Sequence, residues 1–276
     1  LRLGLIAGAG DLPVQVLRAA EQSDIPVFAV ALRNIADPAR LNSAKVFRIA
    51  EFGKVTRYFH KNDVSHICLA GLVKRPDFSN LKPDLKAVRF LPGAIKAAQS
   101  GDDALLRYII KIFEDDGFEI VAPQEICKDQ LLPEGLVTES RITNDHKDDV
   151  KKACEIASKI GELDIGQGAI VCRGVILGVE AQEGTDALLE RIAELPVAIR
   201  GTAKKRAGIL AKLVKPGQDM RVDLPTLGPK TIENADKAGL AGIVAEAGKT
   251  FILDRETVIE RANEAGIFIA GIPSAK

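Results

Sequence analysis

Apolar positions in this chain come in two rhythms: short unbroken runs, and longer stretches in which they recur every three or four residues. Residues 3–7 form the first unbroken run. G-A-G-D-L-P follows, with Asp11 placed to cap a helix, Pro13 in its first turn and V-Q-V-L-R-A-A-E as its body. V-F-A-V-A-L (27–32) predicts a second strand and residues 47–50 a short third. Residues 51–63 predict a helix, and 65–71 a strand ending in glycine. Residues 101–117 predict a helix opened by an acid and closed by a glycine, and 118–123 another strand. Strands alternating with helices predict an α/β protein whose N-terminal domain carries a Rossmann-like, mostly parallel, doubly wound sheet.

Between residues 123 and 151 the rhythm loosens into polar sequence with Pro133 and Gly135, which reads as a linker or an extended crossover. The expected domains are therefore 1–133, a linker 134–150, and 151–276. The second half opens with an amphipathic helix at 145–161 and a hairpin at 168–181 that turns on Arg173 and Gly174. A capped helix at 183–195 and a strand at 208–214 follow. The segments 231–240, 242–247 and 251–254, a helix at 255–265 and a strand at 267–270 complete a mixed α/β C-terminal domain.

The chain has 276 residues and a formal net charge of zero, which argues against a nucleic-acid-binding surface. Charge is nonetheless unevenly placed. Lys74, Arg75, Lys82, Lys86, Arg89 and Lys96 crowd one segment, and Arg200, Lys204, Lys205, Arg206, Lys212 and Lys215 another that lacks acids. Such patches suit local anions, a phosphate or a lipid head group, or are simply solvated faces. The 4 cysteines lack paired spacing, and His60, His66 and His146 are scattered, so neither a disulfide framework nor a soft-metal site is expected. No signal peptide is visible and the apolar runs are strand-sized, which predicts a soluble protein with at most peripheral membrane contact.

In doubly wound sheets ligands sit beyond the carboxyl ends of the strands. That puts Gly8, Gly10 and Asp11 at a mouth, together with Gly71, Lys74 and Arg75. The dinucleotide fingerprint is incomplete, because Pro13 replaces its third glycine and the second strand ends L-R-N without an acid. The segment K-P-G-Q-D-M-R-V-D-L-P (215–225) holds Asp219 and Asp223 around Arg221. If it is extended, these three side chains share one face. Oxygen donors at such loose spacing suit Mg²⁺ or Mn²⁺. Glu183 and Asp186 of E-G-T-D are further candidate donors, although Thr185 or Asp186 also serves as a helix cap. Asp102 and Asp103 read as caps first and ligands second. Lys212 and Lys215 are candidate phosphate cations.

G-L-I-A-G-A-G-D-L-P, A-G-L-V-K-R-P-D-F, G-D-D-A-L-L-R, F-E-D-D-G-F-E-I, L-D-I-G-Q-G, V-E-A-Q-E-G-T-D-A-L-L-E-R and K-P-G-Q-D-M-R-V-D-L-P-T-L-G-P-K-T occur in this order. The ordered set, spanning essentially the whole chain, resembles the LpxI family of UDP-2,3-diacylglucosamine pyrophosphatases of lipid A biosynthesis. The resemblance implies a cytoplasmic, Mg²⁺-dependent hydrolase that releases UMP and 2,3-diacylglucosamine 1-phosphate, with water attacking the phosphorus nearer the sugar. It also implies that the lipid product is held between two domains, and that the essential aspartate is Asp223 of R-V-D-L-P. On that basis the expected catalytic residues are Asp223 and, more weakly, Asp219. The expected metal donors are Asp223, Glu183 and Asp186. Substrate contacts are expected from Gly8, Gly10, Asp11, Gly71, Lys74, Arg75, Asp102, Asp103, Thr185, Lys212, Lys215 and Gln218. Contact with the inner-membrane surface and a homodimer are further expectations. The rival readings are a nucleotide-sugar or dinucleotide-binding oxidoreductase module and a non-catalytic lipid-binding protein.

Overall fold

A computed structural model describes residues 1–217, 219–221 and 224–274. Asp223 and Gln218 lie outside the described residues. The protein is α/β and divides into two units, Leu1–Lys128 with Asp219–Asp223, and Asp129–Gln218 with Leu224–Lys276.

The first unit contains β1 (Leu3–Ala7), α1 (Leu12–Gln22), β2 (Val27–Leu32), β3 (Lys45–Phe47), α2 (Phe52–Lys61) and β4 (His66–Ala70). α3 (Leu85–Gln99), α4 (Asp102–Asp115), β5 (Glu119–Ile120) and α5 (Pro123–Ile126) follow. Its sheet is wholly parallel in the order β3-β2-β1-β4-β5. β1 is central and buried on both faces, which is why it reads as an unbroken apolar run rather than an alternating one. Phe59 of α2, Ile110 and Phe113 of α4, and Val30 and Ile67 of the sheet close one core cluster. Fully burying a side chain such as Phe59 stabilises by about 1.5–3 kcal/mol.

Chain direction across the sheet reverses between β1 and β4, so the turns leaving these two strands define its switch point. They are stitched together. Gly8 N–H donates to the Ala70 carbonyl, and Ala9 and Leu72 exchange N–H···O bonds in both directions, at 2.8 to 2.9 Å. The close approach requires Gly8 and Gly71, because a Cβ on Gly8 would lie 2.8 Å from the Leu72 carbonyl oxygen.

The second unit contains β6 (Gly135–Leu136), α6 (Asn144–Glu162), β7 (Gly168–Cys172), β8 (Val175–Val179), α7 (Gly184–Ala193) and β9 (Ile209–Lys212). Then come β10 (Thr226–Leu227), α8 (Pro229–Lys237), β11 (Gly242–Glu246), β12 (Phe251–Ile252), α9 (Arg255–Ala265) and β13 (Phe268–Ile272). Its main sheet is mixed, in the order β6-β13-β11-β9-β7-β8. The two-residue alternation sorts its core cleanly. Ala169, Val171, Ile209, Ala211, Val244 and Phe268 face Ala153 and Ala157 of α6. Ile170, Leu210, Ile243 and Ile269 face Leu188 and Ile192 of α7, Ile232 of α8 and Val258 of α9.

Some expectations shift. The third strand is Lys45–Phe47, not 47–50. Asp11 precedes α1 but makes no cap bond; its carboxylate accepts instead from Arg40. Asp102 likewise sits inside α4, whose N-cap is Gly101. Residues 134–150 are not wholly linker: Gly135–Leu136 pairs antiparallel with β13, and α6 starts at Asn144, with Thr143 at its N-cap and His146 in its first turn. α3 has no counterpart among the expected elements.

Candidate functional site

In the first unit a cavity of about 110 Å³ opens beside the β1 turn, lined by Gly8, Gly10, Pro13, Ile35 and Leu41 with Arg40 at its edge. Arg40 is held there by Asp11, Nη2 to Oδ1 2.6 Å. Two glycine backbones, apolar walls, Asp37 and the paired Arg40 guanidinium suit a small, flat, partly polar group. Beyond β4, Arg75 donates through Nε at 2.8 Å and Nη2 at 2.5 Å to Oδ1 of Asp102, in the first turn of α4. An acid there also meets the positive end of the helix dipole. Lys74 is exposed on the same loop.

Asp219 and Arg221 do face one another, but in a turn rather than a strand. The guanidinium clasps the carboxylate, Nε to Oδ1 3.0 Å and Nη2 to Oδ2 2.8 Å, and the Arg221 N–H adds a third bond. Through Nη1, Arg221 also donates to Glu114 of α4 at 2.8 Å, while Gln124 donates to the Met220 carbonyl at 2.7 Å. The Arg221 guanidinium holds the Asp219 carboxyl below the usual carboxylate range, and both acids push the guanidinium up. The Asp219 carboxylate is thus engaged within a tied-down turn.

We expect Arg221→Gln to loosen the turn that holds residues 219–221. The pH dependence of stability carries the sign. A depressed folded-state pKa contributes stability that is full above the ordinary carboxylate value near about 4 and is lost as pH falls through the lowered one. Melting curves of wild type and variant should differ by about 1 kcal/mol at neutral pH and converge in acid. Parallel curves at all pH values would remove the pair from this role.

In the second unit, Thr185 Oγ1 donates to Glu180 Oε2 at 2.9 Å, both groups buried. Lys212 is buried at the end of β9 and donates through Nζ to the Thr226 carbonyl at 3.0 Å. Lys215 pairs with Asp164 at 2.8 Å. Glu183 accepts from the Ala181 N–H and from Arg191; its own backbone N–H, then these two, hold its carboxyl below the usual range. Asp186 differs: its buried Oδ1 has no hydrogen-bond partner, and Oδ2 lies 3.8 Å from Lys230. The basic run at 200–215 is not one anion surface, because Arg200 binds the Leu195 and Gly201 carbonyls and Arg206 binds Asp236.

Among the described residues no three His, Cys, Asp or Glu side chains converge as a metal cage. Of the proposed donors, Glu183 is already engaged and Asp186 offers one open oxygen. Mg²⁺ commonly takes one or two carboxylates and completes its shell with waters and substrate phosphates, so the described residues fit only part of such a site. Thiol chemistry is disfavoured: burial pushes Cys127 up to about 12 and Cys154 to about 11, and Cys68 and Cys172 also rise. The sequence did not flag Glu180, Glu246 or Arg40. Glu180 was findable, directly after a strand and just before E-G-T-D. Glu246, which accepts from the Val214 N–H at 2.7 Å, offered no local signal.

Comparison with known proteins identifies the family. The LpxI N-terminal domain model matches residues 2–130, and the LpxI C-terminal domain model matches residues 133–270. The chain belongs to the LpxI family. It is similar to the UDP-2,3-diacylglucosamine pyrophosphatase LpxI of Caulobacter vibrioides, with 48% identity over 273 residues, covering 98% of this chain and 97% of the relative. LpxI membership favours the hydrolase over the dinucleotide-binding alternative, whose fingerprint is incomplete here. Among the described residues no helix is long and apolar enough to cross a membrane.

Proposed function

We propose that this chain hydrolyses the pyrophosphate bond of UDP-2,3-diacylglucosamine, giving UMP and 2,3-diacylglucosamine 1-phosphate in lipid A biosynthesis. The observation that carries this is near end-to-end similarity to a relative named for that activity. A phosphoric anhydride needs a deprotonated water and neutralisation of the oxygens that gather charge. Asp223 takes the proton from the attacking water, and Asp219 fixes the turn that leads to it. Arg75, held by Asp102, and the buried Lys212 are preorganised cations for phosphate oxygens; Lys74, Lys215, Asp103 and Gln218 are further candidate contacts, and Thr185 a hydroxyl one. The glycines of the first and fourth strand turns and Asp11 with Arg40 receive the nucleotide end.

Mg²⁺ or Mn²⁺, with Asp223 and the open oxygen of Asp186 as candidate donors and Glu183 a weaker one, would supply a Lewis acid for the diphosphate. In a direct assay, UDP-2,3-diacylglucosamine should yield equimolar UMP and lipid phosphate, while UDP-sugars lacking acyl chains should not. Chelation should reduce the rate about a hundredfold, with recovery on adding Mg²⁺ or Mn²⁺. Water labelled with heavy oxygen should deliver the label to the sugar phosphate. No cleavage of the diacyl substrate by folded, Mg²⁺-supplemented protein would end the proposal. The free cysteines suit a cytoplasmic enzyme.

A further inference from the structure

α3 is apolar on two sides. Toward its own unit it turns Ala87, Ala94 and Ala98, all buried, with the Phe90 ring edge-on to Phe52. Outward it turns a second apolar set: Leu85, Val88, Pro92 and Ile95 recur at three- and four-residue steps on one stripe. Leu85 is 95% exposed, Val88 53% and Ile95 37%. A helix folding onto a core normally leaves that outer side polar. Charge on α3 is equally one-sided. The sequence LKAVRFLPGAIKAAQ contains Lys86, Arg89 and Lys96 and no acid. Lys86 points inward, donating to Asp116 and lying over the Phe52 ring. Arg89 and Lys96, and Lys82 just ahead of the helix, are exposed and make no salt bridge among the described residues.

We propose that this outward face of α3 docks on an anionic lipid bilayer. A helix of 15 residues is about 22 Å long, and an apolar stripe flanked by cations is the pattern of helices that lie in the bilayer interface. The stripe enters the acyl boundary while the cations remain among the head groups. Charge argues against a second copy as the occupant, since two identical faces of this kind would bring cation against cation. The vesicle-binding measurement does not rest on the pyrophosphatase reading; turnover of UDP-2,3-diacylglucosamine enters only as a control on the Leu85 variant.

The intact protein is sedimented with phosphatidylcholine vesicles with and without phosphatidylglycerol. It should bind only the anionic vesicles, and more weakly as salt rises. Arg89→Gln with Lys96→Gln should weaken binding about thirtyfold, from about 1 kcal/mol for each cation near the surface. Leu85→Asp should remove binding while leaving the circular dichroism spectrum and turnover of detergent-dispersed substrate unchanged, because Leu85 is almost wholly exposed. Undiminished vesicle binding by both variants would overturn the proposal, as would no binding by wild type. Loss of micellar turnover in Leu85→Asp would assign the stripe to the substrate's acyl chains instead. Self-association abolished by Leu85→Asp, without vesicle binding, would assign it to a second copy; both results would overturn it.

Discussion

Asp223→Ala should lower turnover of UDP-2,3-diacylglucosamine about a thousandfold, within the range that removing a positioned general base produces. Asp219 is the other acid of K-P-G-Q-D-M-R-V-D-L-P, and its carboxylate is already held by the Arg221 side chain and N–H. A carboxylate held by a guanidinium is lowered in pKa and so is a weaker base for a proton. The chemical role proposed for Asp223 is the one that the LpxI resemblance implies for the aspartate of R-V-D-L-P. The loss should fall on kcat, since a group acting on the attacking water contributes mainly in the transition state. Asp223→Asn, which keeps the shape and removes the charge, should be nearly as impaired. Asp219→Ala should lose no more than Arg221→Gln does, because both act on the same turn. Wild-type turnover by purified Asp223→Ala would overturn the mechanism, and a melting transition shared with wild type would show that any loss is chemical.

What could be read from residue order alone follows from how local each cause is. β1, β2 and α9 were legible because burial on both faces gives a continuous apolar run, and a helix ending in Gly266 carries its own stop signal. The Arg173–Gly174 turn was legible too, since both residues take positive φ in the hairpin. α3 was not, because Pro92 and Gly93 fall inside it and its apolar positions lie on both its inward and its outward side, defeating the periodicity rule. β6 was missed for a different reason: two residues at 135 and 136 become a strand only by pairing with β13, far along the chain. The site divides the same way. Gly8 and Gly71 announced a turn through local chemistry, whereas Glu114 reaches Arg221 across 107 positions, a distance no spacing rule spans.

Gly71→Ala is expected to destabilise the first unit by about 3 kcal/mol, and it tests the stitched switch point directly. Gly71 has φ +91°, where a side chain carries a penalty of about 1–3 kcal/mol. A Cβ there would also stand 2.6 Å from the Ala9 carbonyl oxygen, 2.8 Å from Pro13 Cγ and 2.9 Å from the Gly8 carbonyl carbon. Backbone and a proline ring have little freedom to move aside, so overpacking adds about 1–3 kcal/mol. Gly117 supplies the control: its φ is +92°, but a Cβ there would meet nothing within 4 Å. Gly117→Ala should therefore lose only the backbone contribution, and the difference between the variants in urea unfolding isolates the close approach of the two turns. The Gly71 variant should also bind UDP more weakly even where it remains folded, because displacing Ala9 from Leu72 moves the backbone that borders the cavity. Equal destabilisation by the two substitutions would mean that the turns can separate freely, and that their stitching contributes nothing to the shape of the mouth.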